Sequence, residues 1–192
     1  MIRPKESPSQ TAGPYVHIGL TPNVAGIAGV YPADLGQSAA GPDAAGERIT
    51  VTGQVFDGTG TPLRDALLEL WQADAAGRYP GQDGADPHVT GWARCATDME
   101  DGAFRFDTIK PGAVGAHAPH LNLWIVARGI NLGLNTRVYF PEDTAAQASD
   151  PVLSRIEHRS RIPTLIARPE GAGAYRFDIR LQGEGETIFF DL

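Results

Sequence analysis

The sequence has one cysteine and no long apolar run. Cys95 is the single cysteine among 192 residues, so no disulfide can form within the chain. One thiol suits a reducing cytoplasm and excludes a cysteine-based zinc site. The longest apolar runs are too short to cross a bilayer, and Met1–Ser7 is not followed by the apolar stretch of a secretory signal. We therefore expect a cytoplasmic protein without a membrane partner.

Basic residues are in the minority. The chain has 16 Lys and Arg against 23 Asp and Glu, which gives a formal net charge of −7. A nucleic-acid groove requires a dense basic stripe, so we expect no nucleic-acid partner. An acidic surface is commonly a solubility feature, and it identifies no other partner by itself.

Long helical patterns are missing too. Short segments instead alternate apolar and polar residues, which predicts strands with one buried face, and turns rich in Gly and Pro separate them. One or two short helices are expected, one of them near Pro151–His158, where a proline precedes an amphipathic piece. Many short strands of this kind predict a mainly β fold, either a sandwich or a barrel. The predicted strands lie in Arg48–Asp57, Asp65–Trp71, Phe104–Asp107, His120–Ala127 and Tyr175–Gln182.

The chain is long enough for one structural domain with a full core. Residues 48–192 hold the predicted strands. Residues 1–47 are rich in Ala, Gly and Pro without a clean period, and we interpret them as an extended arm or a set of loops. A disordered tail is the alternative. Against it stands Thr11–Ile18, whose large side chains need a surface to lie on.

A metal-like pattern opens one predicted strand. His120 and Asn122 lie two residues apart and therefore share a face, and His117 precedes them in a turn. A His-x-His pair could offer two imidazoles to a metal, but an amide oxygen is a weak ligand for a transition metal. The residues alone favour a hydrogen-bonded pair of His120 and Asn122. Tyr79, in a turn after a strand, could bind a ferric ion as phenolate, yet a lone tyrosine more often packs.

Charged residues near the strand ends offer a second kind of site. Arg128 ends the strand that His120 begins and precedes Gly129, so its guanidinium could hold a carboxylate with two hydrogen bonds. The alternative, which chemistry alone favours, is an exposed strand-end charge. Asp65 and Glu69 are interpreted as ordinary solvated residues rather than as a catalytic pair of carboxylates.

Several stretches resemble motifs of the intradiol ring-cleaving dioxygenases. Leu68–Tyr79 is similar to the strand and turn before the first iron-ligating tyrosine of that family, and Gly102–Gly112 to the strand before the second. Ala118–Asn122 resembles the family's Pro-x-His-x-His segment, and Tyr175–Thr187 matches its ending. The resemblance runs from about Pro8 to the C-terminus. It implies a β-sandwich core.

The chain departs from the family pattern at the iron ligands. Tyr79 and His120 match the first tyrosine and the first histidine of that set. Asn122 replaces the second histidine, and Val114 stands about where the second tyrosine falls. No tyrosine occurs between Tyr79 and Tyr139. The resemblance therefore implies a vestigial site and no metal on this chain.

The resemblance also implies a positive role. It matches the iron-free subunit of a two-chain family member, whose homologous β subunit carries Fe(III) on two tyrosines and two histidines, in assemblies of several such pairs. That complex uses O2 to cleave 3,4-dihydroxybenzoate to 3-carboxy-cis,cis-muconate in aromatic catabolism, with no nicotinamide, flavin or haem. The alternative is a non-enzymatic β-sandwich binding module on the same scaffold. By motif, the residues that would line the substrate pocket between the chains are Thr11, Gly13, Pro14, Tyr15 and Arg128.

Overall fold

The structure is a computed structural model that describes residues 10–191. The first nine residues of the expected N-terminal arm and the terminal Leu192 lie outside this range. The described residues form two α-helices, α1 (Pro14–Leu20) and α2 (Thr144–Ala148). They also form the strands β1 (Arg48–Phe56), β2 (Leu67–Trp71), β3 (Trp92–Ala96), β4 (Ala103–Ile109), β5 (His120–Val126), β6 (Leu134–Tyr139), β7 (Arg168–Gly171), β8 (Ala174–Arg176) and β9 (Ile179–Arg180).

The strands make two sheets that pack face to face. One sheet has the order β4-β1-β8-β7, and β9 also pairs with β1. There β1 runs antiparallel to β4 but parallel to β8 and β9. The other sheet has the order β3-β2-β5-β6, in which every neighbouring pair is antiparallel. The fold is therefore a β-sandwich, which confirms the mainly β prediction and decides between sandwich and barrel.

The main core lies between the two sheets and follows the period-two pattern of the sequence. Alternate residues of β1 and β5 are buried, because successive side chains of a strand point to opposite faces. Full burial of one such aliphatic side chain stabilises the fold by roughly 1.5–3 kcal/mol. Core residues from the central strands are Ile49, Val51, Val55, Leu68, Leu70, Leu121, Leu123 and Ile125.

The short helices are placed differently from the prediction. The arm was expected to be extended or made of loops, but Pro14–Leu20 forms α1, because a proline at the first helical position has its φ preset. The helix expected at Pro151–His158 is reduced to a 3₁₀ turn at Leu153–Arg155. It ends there because Ile156 is extended, with φ −71° and ψ 112°. A second 3₁₀ segment follows at Arg159–Leu165.

Three strands lack a clear sequence signal. β3 and β6 flank the second sheet, and each mixes charged or amide side chains with apolar ones on a single short strand. β7 is exposed along its whole length. Asp65, expected within a strand, instead lies two residues before the start of β2. Within residues 10–191, no helix combines the length and the apolar character that a membrane span requires.

Candidate functional site

The candidate residues fall into two groups near opposite ends of β5. The first group, called here the ligand-position set, lies at the start of β5 and in the loops beside it. Its members are Tyr79, Val114, His120 and Asn122. The second group, called the arm cluster, brings the N-terminal arm to the end of β5. Its members are Thr11, Gly13, Pro14, Tyr15 and Arg128.

Asp74 organises the loop that presents Tyr79. The Asp74 carboxylate accepts hydrogen bonds from the backbone N–H groups of Ala76 (2.8 Å), Arg78 (2.9 Å) and Asp86 (2.9 Å). Burial opposes ionisation of Asp74, but these hydrogen bonds outweigh it and lower the pKa of the carboxyl below its usual value. The loop is therefore held by an ionised carboxylate just ahead of Tyr79.

Tyr79 and Asn122 contact each other directly. The Asn122 Nδ2 group donates hydrogen bonds to the Tyr79 hydroxyl at 3.4 Å and to the Trp71 carbonyl at 3.3 Å. The Tyr79 ring stacks on Trp71 with 5.7 Å between ring centroids and 3° between planes. The phenol is thus packed and accepts from an amide donor.

His120 does not pair with Asn122, so the prediction of a His–Asn hydrogen bond is wrong. The His120 Nδ1–H group donates to the Ala118 carbonyl at 2.7 Å, which is two residues back along the chain. Its Nε2 atom is buried and has no hydrogen-bond partner among the described residues. Burial lowers the pKa of His120 to about 4, so the ring is neutral at physiological pH.

Arg137 places a permanent positive charge beside this set. It lies on β6 opposite Asn122, and its Nη1 group donates to the Nδ1 atom of His117 at 3.4 Å and to the Tyr139 hydroxyl at 3.3 Å. After burial, the Arg137 charge is among the causes that lower the pKa of His120. Sequence reasoning missed Arg137 because β6 itself gave no strand signal.

Asp150 fixes the turn that leads into β5. It is fully buried, and its carboxylate accepts hydrogen bonds from the backbone N–H groups of Ala118 (2.8 Å), Val152 (2.8 Å) and Leu153 (3.0 Å). Burial raises its pKa, but the three N–H donors prevail and the net pKa lies below the usual value. The Asp150 carboxylate therefore stabilises the backbone of this turn.

The ligand-position set does not fit a ferric ion. Val114 offers only an alkyl side chain, and its backbone N–H and C=O groups are paired with those of His117. The remaining donors are one phenol, one imidazole and one amide, without the second phenolate and second imidazole of the family pattern. The fixed Arg137 cation also opposes a trivalent cation. Across residues 10–191, no group of three or more His, Cys, Asp or Glu side chains is arranged to hold a metal.

The arm cluster is assembled by Thr11. Its Oγ1 atom accepts a hydrogen bond from the Gly129 backbone N–H at 2.7 Å and donates to the Ala127 carbonyl at 3.5 Å. These two groups flank Arg128 on both sides, so Thr11 braces the backbone that carries the arginine. The structure thereby joins segments that lie 116 and 118 residues apart in sequence.

Arg128 pairs with Asp65 at the edge of the arm. The Arg128 Nε atom lies 3.3 Å from the Asp65 Oδ2 atom, and the arginine side chain is 80% exposed. The His17 Nε2–H group donates to the Asp65 carbonyl at 2.9 Å, which ties α1 to the same residue. No role was predicted for His17, although it lies in the Thr11–Ile18 stretch that was expected to need a surface.

Asp65 and Glu69 are partly exposed and do not form a carboxylate pair, but each has an ion-pair partner that was not expected. Asp65 forms the ion pair with Arg128. Glu69 accepts two hydrogen bonds from Arg94 through one carboxylate oxygen, at 2.8 Å and 2.5 Å. The two carboxylates therefore have separate cationic partners and do not act as a pair.

A cavity of about 420 Å³ opens between the arm and the strand ends. Gly13 and Pro14 line it from the arm, and Arg128 and Asp65 line it from the other side. Its volume lies in the range of small-molecule sites. Thr11 and Tyr15 are not among the lining residues, since Thr11 braces the loop and Tyr15 is 85% exposed.

Comparison with known proteins shows extensive similarity. A dioxygenase family model, Dioxygenase_C, matches residues 28–183. The chain is 47% identical to the alpha chain of protocatechuate 3,4-dioxygenase from Pseudomonas putida, over 97% of this chain and 96% of that chain. It is 42% identical to the beta chain of protocatechuate 3,4-dioxygenase from Burkholderia cepacia, over 74% of this chain and 67% of that chain.

A solved structure shows the same fold. The 3-chlorocatechol 1,2-dioxygenase of Rhodococcus opacus 1CP matches with a TM-score of 0.60 at 24% identity, over 80% of this chain and 68% of that chain. The family model spans most of the present chain, and the similarity in sequence to one alpha chain extends over nearly all of it. The chain belongs to the intradiol ring-cleaving dioxygenase family.

Proposed function

We propose that this chain is the iron-free subunit of a two-chain intradiol dioxygenase. The observation that supports the proposal is the difference between the ligand-position set and the arm cluster. The ligand-position set offers one phenol, one imidazole and one amide, while Thr11 braces Arg128 beside a cavity that the arm helps to line. In this proposal the chain supplies the wall of a substrate pocket, and a partner chain supplies the iron.

The partner that we propose is a homologous β subunit. The similarity of this chain to both an alpha and a beta chain of protocatechuate 3,4-dioxygenase supports it, because two chains of one ancestry would present similar sandwiches. Residues 1–47 would contact that partner as an N-terminal arm, with residues 48–192 as the sandwich. Exposed apolar side chains in the arm, which suit a subunit interface, are Val24, Ile27, Val30, Tyr31 and Leu35.

The substrate that we propose is 3,4-dihydroxybenzoate, an anionic diol. Fe(III) on the partner, bound by two tyrosines and two histidines, would supply the oxygen chemistry, in which both atoms of O2 enter 3-carboxy-cis,cis-muconate. The exposed guanidinium of Arg128 attracts the substrate carboxylate, and its planar fork can hold it with two hydrogen bonds. Gly13 and Pro14 let the backbone approach the pocket without side-chain bulk.

The reaction would take place in the cytoplasm, which suits the single thiol of the chain. Cys95 is consistent with an inert thiol, since burial raises its pKa to about 12.

Coexpression with a homologous β chain tests the proposal. The purified complex is expected to carry iron, to absorb visible light and to consume O2 with 3,4-dihydroxybenzoate. The chain expressed alone is expected to be colourless and inactive. Stoichiometric iron and ring cleavage by the lone chain would contradict the assignment. Failure to associate with any homologous β chain would favour the non-enzymatic binding module instead.

A further inference from the structure

The backbone on both sides of Arg128 is held by hydrogen bonds that do not involve the arginine side chain. Thr11 Oγ1 bonds to the carbonyl that precedes Arg128 and to the N–H group that follows it. The Cα position of the arginine is therefore set by the arm. A long side chain still has several rotatable bonds beyond that point, and ordering it costs up to about 2 kcal/mol in rotamer entropy.

Asp65 forms its ion pair on the Nε side of the Arg128 guanidinium. Its Oδ2 atom lies 3.3 Å from Nε, on the inner edge of the fork. Among the described residues, neither Nη1 nor Nη2 of Arg128 donates a hydrogen bond to another group, and the side chain is 80% exposed. Asp65 thus leaves the outer edge of the guanidinium, formed by Nη1 and Nη2, available to a second carboxylate.

Asp65 is itself fixed on both sides. Its carbonyl accepts a hydrogen bond from His17 Nε2 at 2.9 Å, which attaches it to α1. The next residue, Ala66, is fully buried, and its N–H group donates to Thr97 Oγ1 at 3.0 Å. The carboxylate is therefore presented from a rigid part of the sandwich, and 29% of its side chain is exposed.

We propose that Asp65 is a positioning residue for Arg128, which it holds by Nε so that the Nη1 and Nη2 edge faces the carboxylate of the substrate. This assignment rests on the proposed function. Asp65 touches no reacting atom, and it acts only through the arginine. An ordinary surface ion pair would contribute little to stability and nothing to substrate selection.

A positioning role and a purely electrostatic role of Asp65 predict opposite changes in anion affinity when Asp65 is removed. Asp65 carries a negative charge beside an anion-binding group, so removing that charge alone would tighten the binding of an anion. Loss of positioning would instead weaken it, because the guanidinium would have to be ordered by the substrate. The direction of the change therefore separates the two roles.

The test uses the complex with the β chain and measures anaerobic dissociation constants through the visible absorption of the iron centre. The probes are 3,4-dihydroxybenzoate and catechol, an uncharged diol. Asp65→Ala is expected to weaken the binding of 3,4-dihydroxybenzoate roughly tenfold relative to the binding of catechol. Asp65→Asn keeps an oxygen that can accept from Nε and is expected to stay within about threefold of the parent complex.

Three further variants complete the experiment. Arg128→Ala is expected to lose at least as much selectivity for 3,4-dihydroxybenzoate over catechol as Asp65→Ala does. The double variant is expected to lose no more than Arg128→Ala alone, since Asp65 acts through Arg128. Asp107→Ala, which removes the partner of another exposed arginine, Arg105, is the matched control and is expected to change nothing. Iron content and the thermal midpoint are measured for every variant.

Each outcome decides between the assignments. Unchanged or increased selectivity for the anion in Asp65→Ala, or additive losses in the double variant, would overturn the role of Asp65 and leave the proposed function intact. An inactive parent complex, or an Arg128→Ala complex with unchanged selectivity, would overturn the proposed function and this inference with it.

Discussion

The Asn122 amide donates a hydrogen bond to the Tyr79 hydroxyl at 3.4 Å. Two members of the ligand-position set, which the sequence resemblance matches to iron ligands, therefore bond to each other in this chain. A phenol that accepts from an amide and stacks on Trp71 is a packing residue. Tyr79 and Asn122 are therefore held by local contacts within this chain.

Arg128→Ala is expected to lower kcat/KM for 3,4-dihydroxybenzoate in the complex by roughly tenfold to a hundredfold, because a charged hydrogen-bonding partner of the anionic substrate is lost. Iron content is expected to stay unchanged, since the proposed iron ligands all belong to the partner chain and Arg128 is not one of them. Steady-state kinetics with metal analysis measures both. The matched control is Arg105→Ala, which also removes an exposed, paired arginine. Equal losses in the two variants would contradict the assignment.

Thr11→Val is expected to release the backbone around Arg128, since valine has nearly the same shape but no hydroxyl. Loss of the 2.7 Å hydrogen bond to the Gly129 N–H should cost about 1 kcal/mol and speed amide exchange at Gly129. Hydrogen exchange followed by NMR or mass spectrometry reports on this amide. Thr11→Ser keeps the hydroxyl and is expected to retain protection. Equal exchange rates in both variants would show that Thr11 does not brace the loop.

His120 is expected to make the stability of the complex depend on pH. Burial lowers its pKa to about 4 from an ordinary value near 6.5, so the unfolded chain binds the proton more readily than the folded chain. The stabilising effect is complete above pH 6.5 and is lost as the pH falls toward 4. It amounts to on the order of 3 kcal/mol. Thermal midpoints at fixed protein concentration measure the trend.

His120→Phe is the matching variant, because it preserves an aromatic ring and removes the titration. Its midpoint is expected to fall less steeply between pH 6.5 and 4 than that of the parent complex. His120→Ala is expected to cost about 2–4 kcal/mol through the cavity it leaves, with iron content and ring cleavage little changed. Loss of iron from the complex on His120→Ala would show that this chain does hold the metal.

Asn122→His is expected to restore an imidazole without restoring a ferric site. The set would still lack a second phenolate, and the Arg137 cation would remain beside it. Iron analysis and visible absorption of the lone chain check this, with a colourless protein as the expected result. The appearance of a stoichiometric coloured centre in this single variant would show that one ligand, rather than two, separates the chain from iron binding.

Gly77→Ala is expected to destabilise the loop before Tyr79 by several kcal/mol. Gly77 has φ +78°, and an added Cβ would collide with the Ala113 carbonyl. Gly60→Ala is the control, because Gly60 has φ +82° but open space around the Cβ position, and it should cost only about 1 kcal/mol. Denaturant unfolding measures the two losses, and similar values would mean that the close contact is readily relieved.

Much of the sandwich could be predicted from the sequence because its signal is local. In β1 and β5, alternate residues such as Val51 and Leu123 face the core, and this period is visible without any knowledge of neighbours. β3, β6 and β7 carry no such signal, since these strands are short, exposed or of mixed polarity. Pro14–Leu20 was missed as a helix because its seven residues bury no side chain and so show no apolar stripe.

The residue identities alone give the ligand-position set an amide at Asn122 and an alkyl side chain at Val114. Chemistry of this kind does not depend on conformation, because neither side chain can become a phenolate or an imidazole. The sequence alone therefore determined the β-rich pattern and the absence of a second phenol and a second imidazole from the ligand-position set.

Only the tertiary structure decided how the surviving residues are used. It placed Thr11 against the backbone on either side of Arg128, Asp65 against the guanidinium, and Arg137 beside His117. Each contact joins segments far apart in the chain, and each depends on sheet order and register, which no local period encodes. The chemistry of a side chain follows from its residue type, whereas the residues that it contacts are set by the fold.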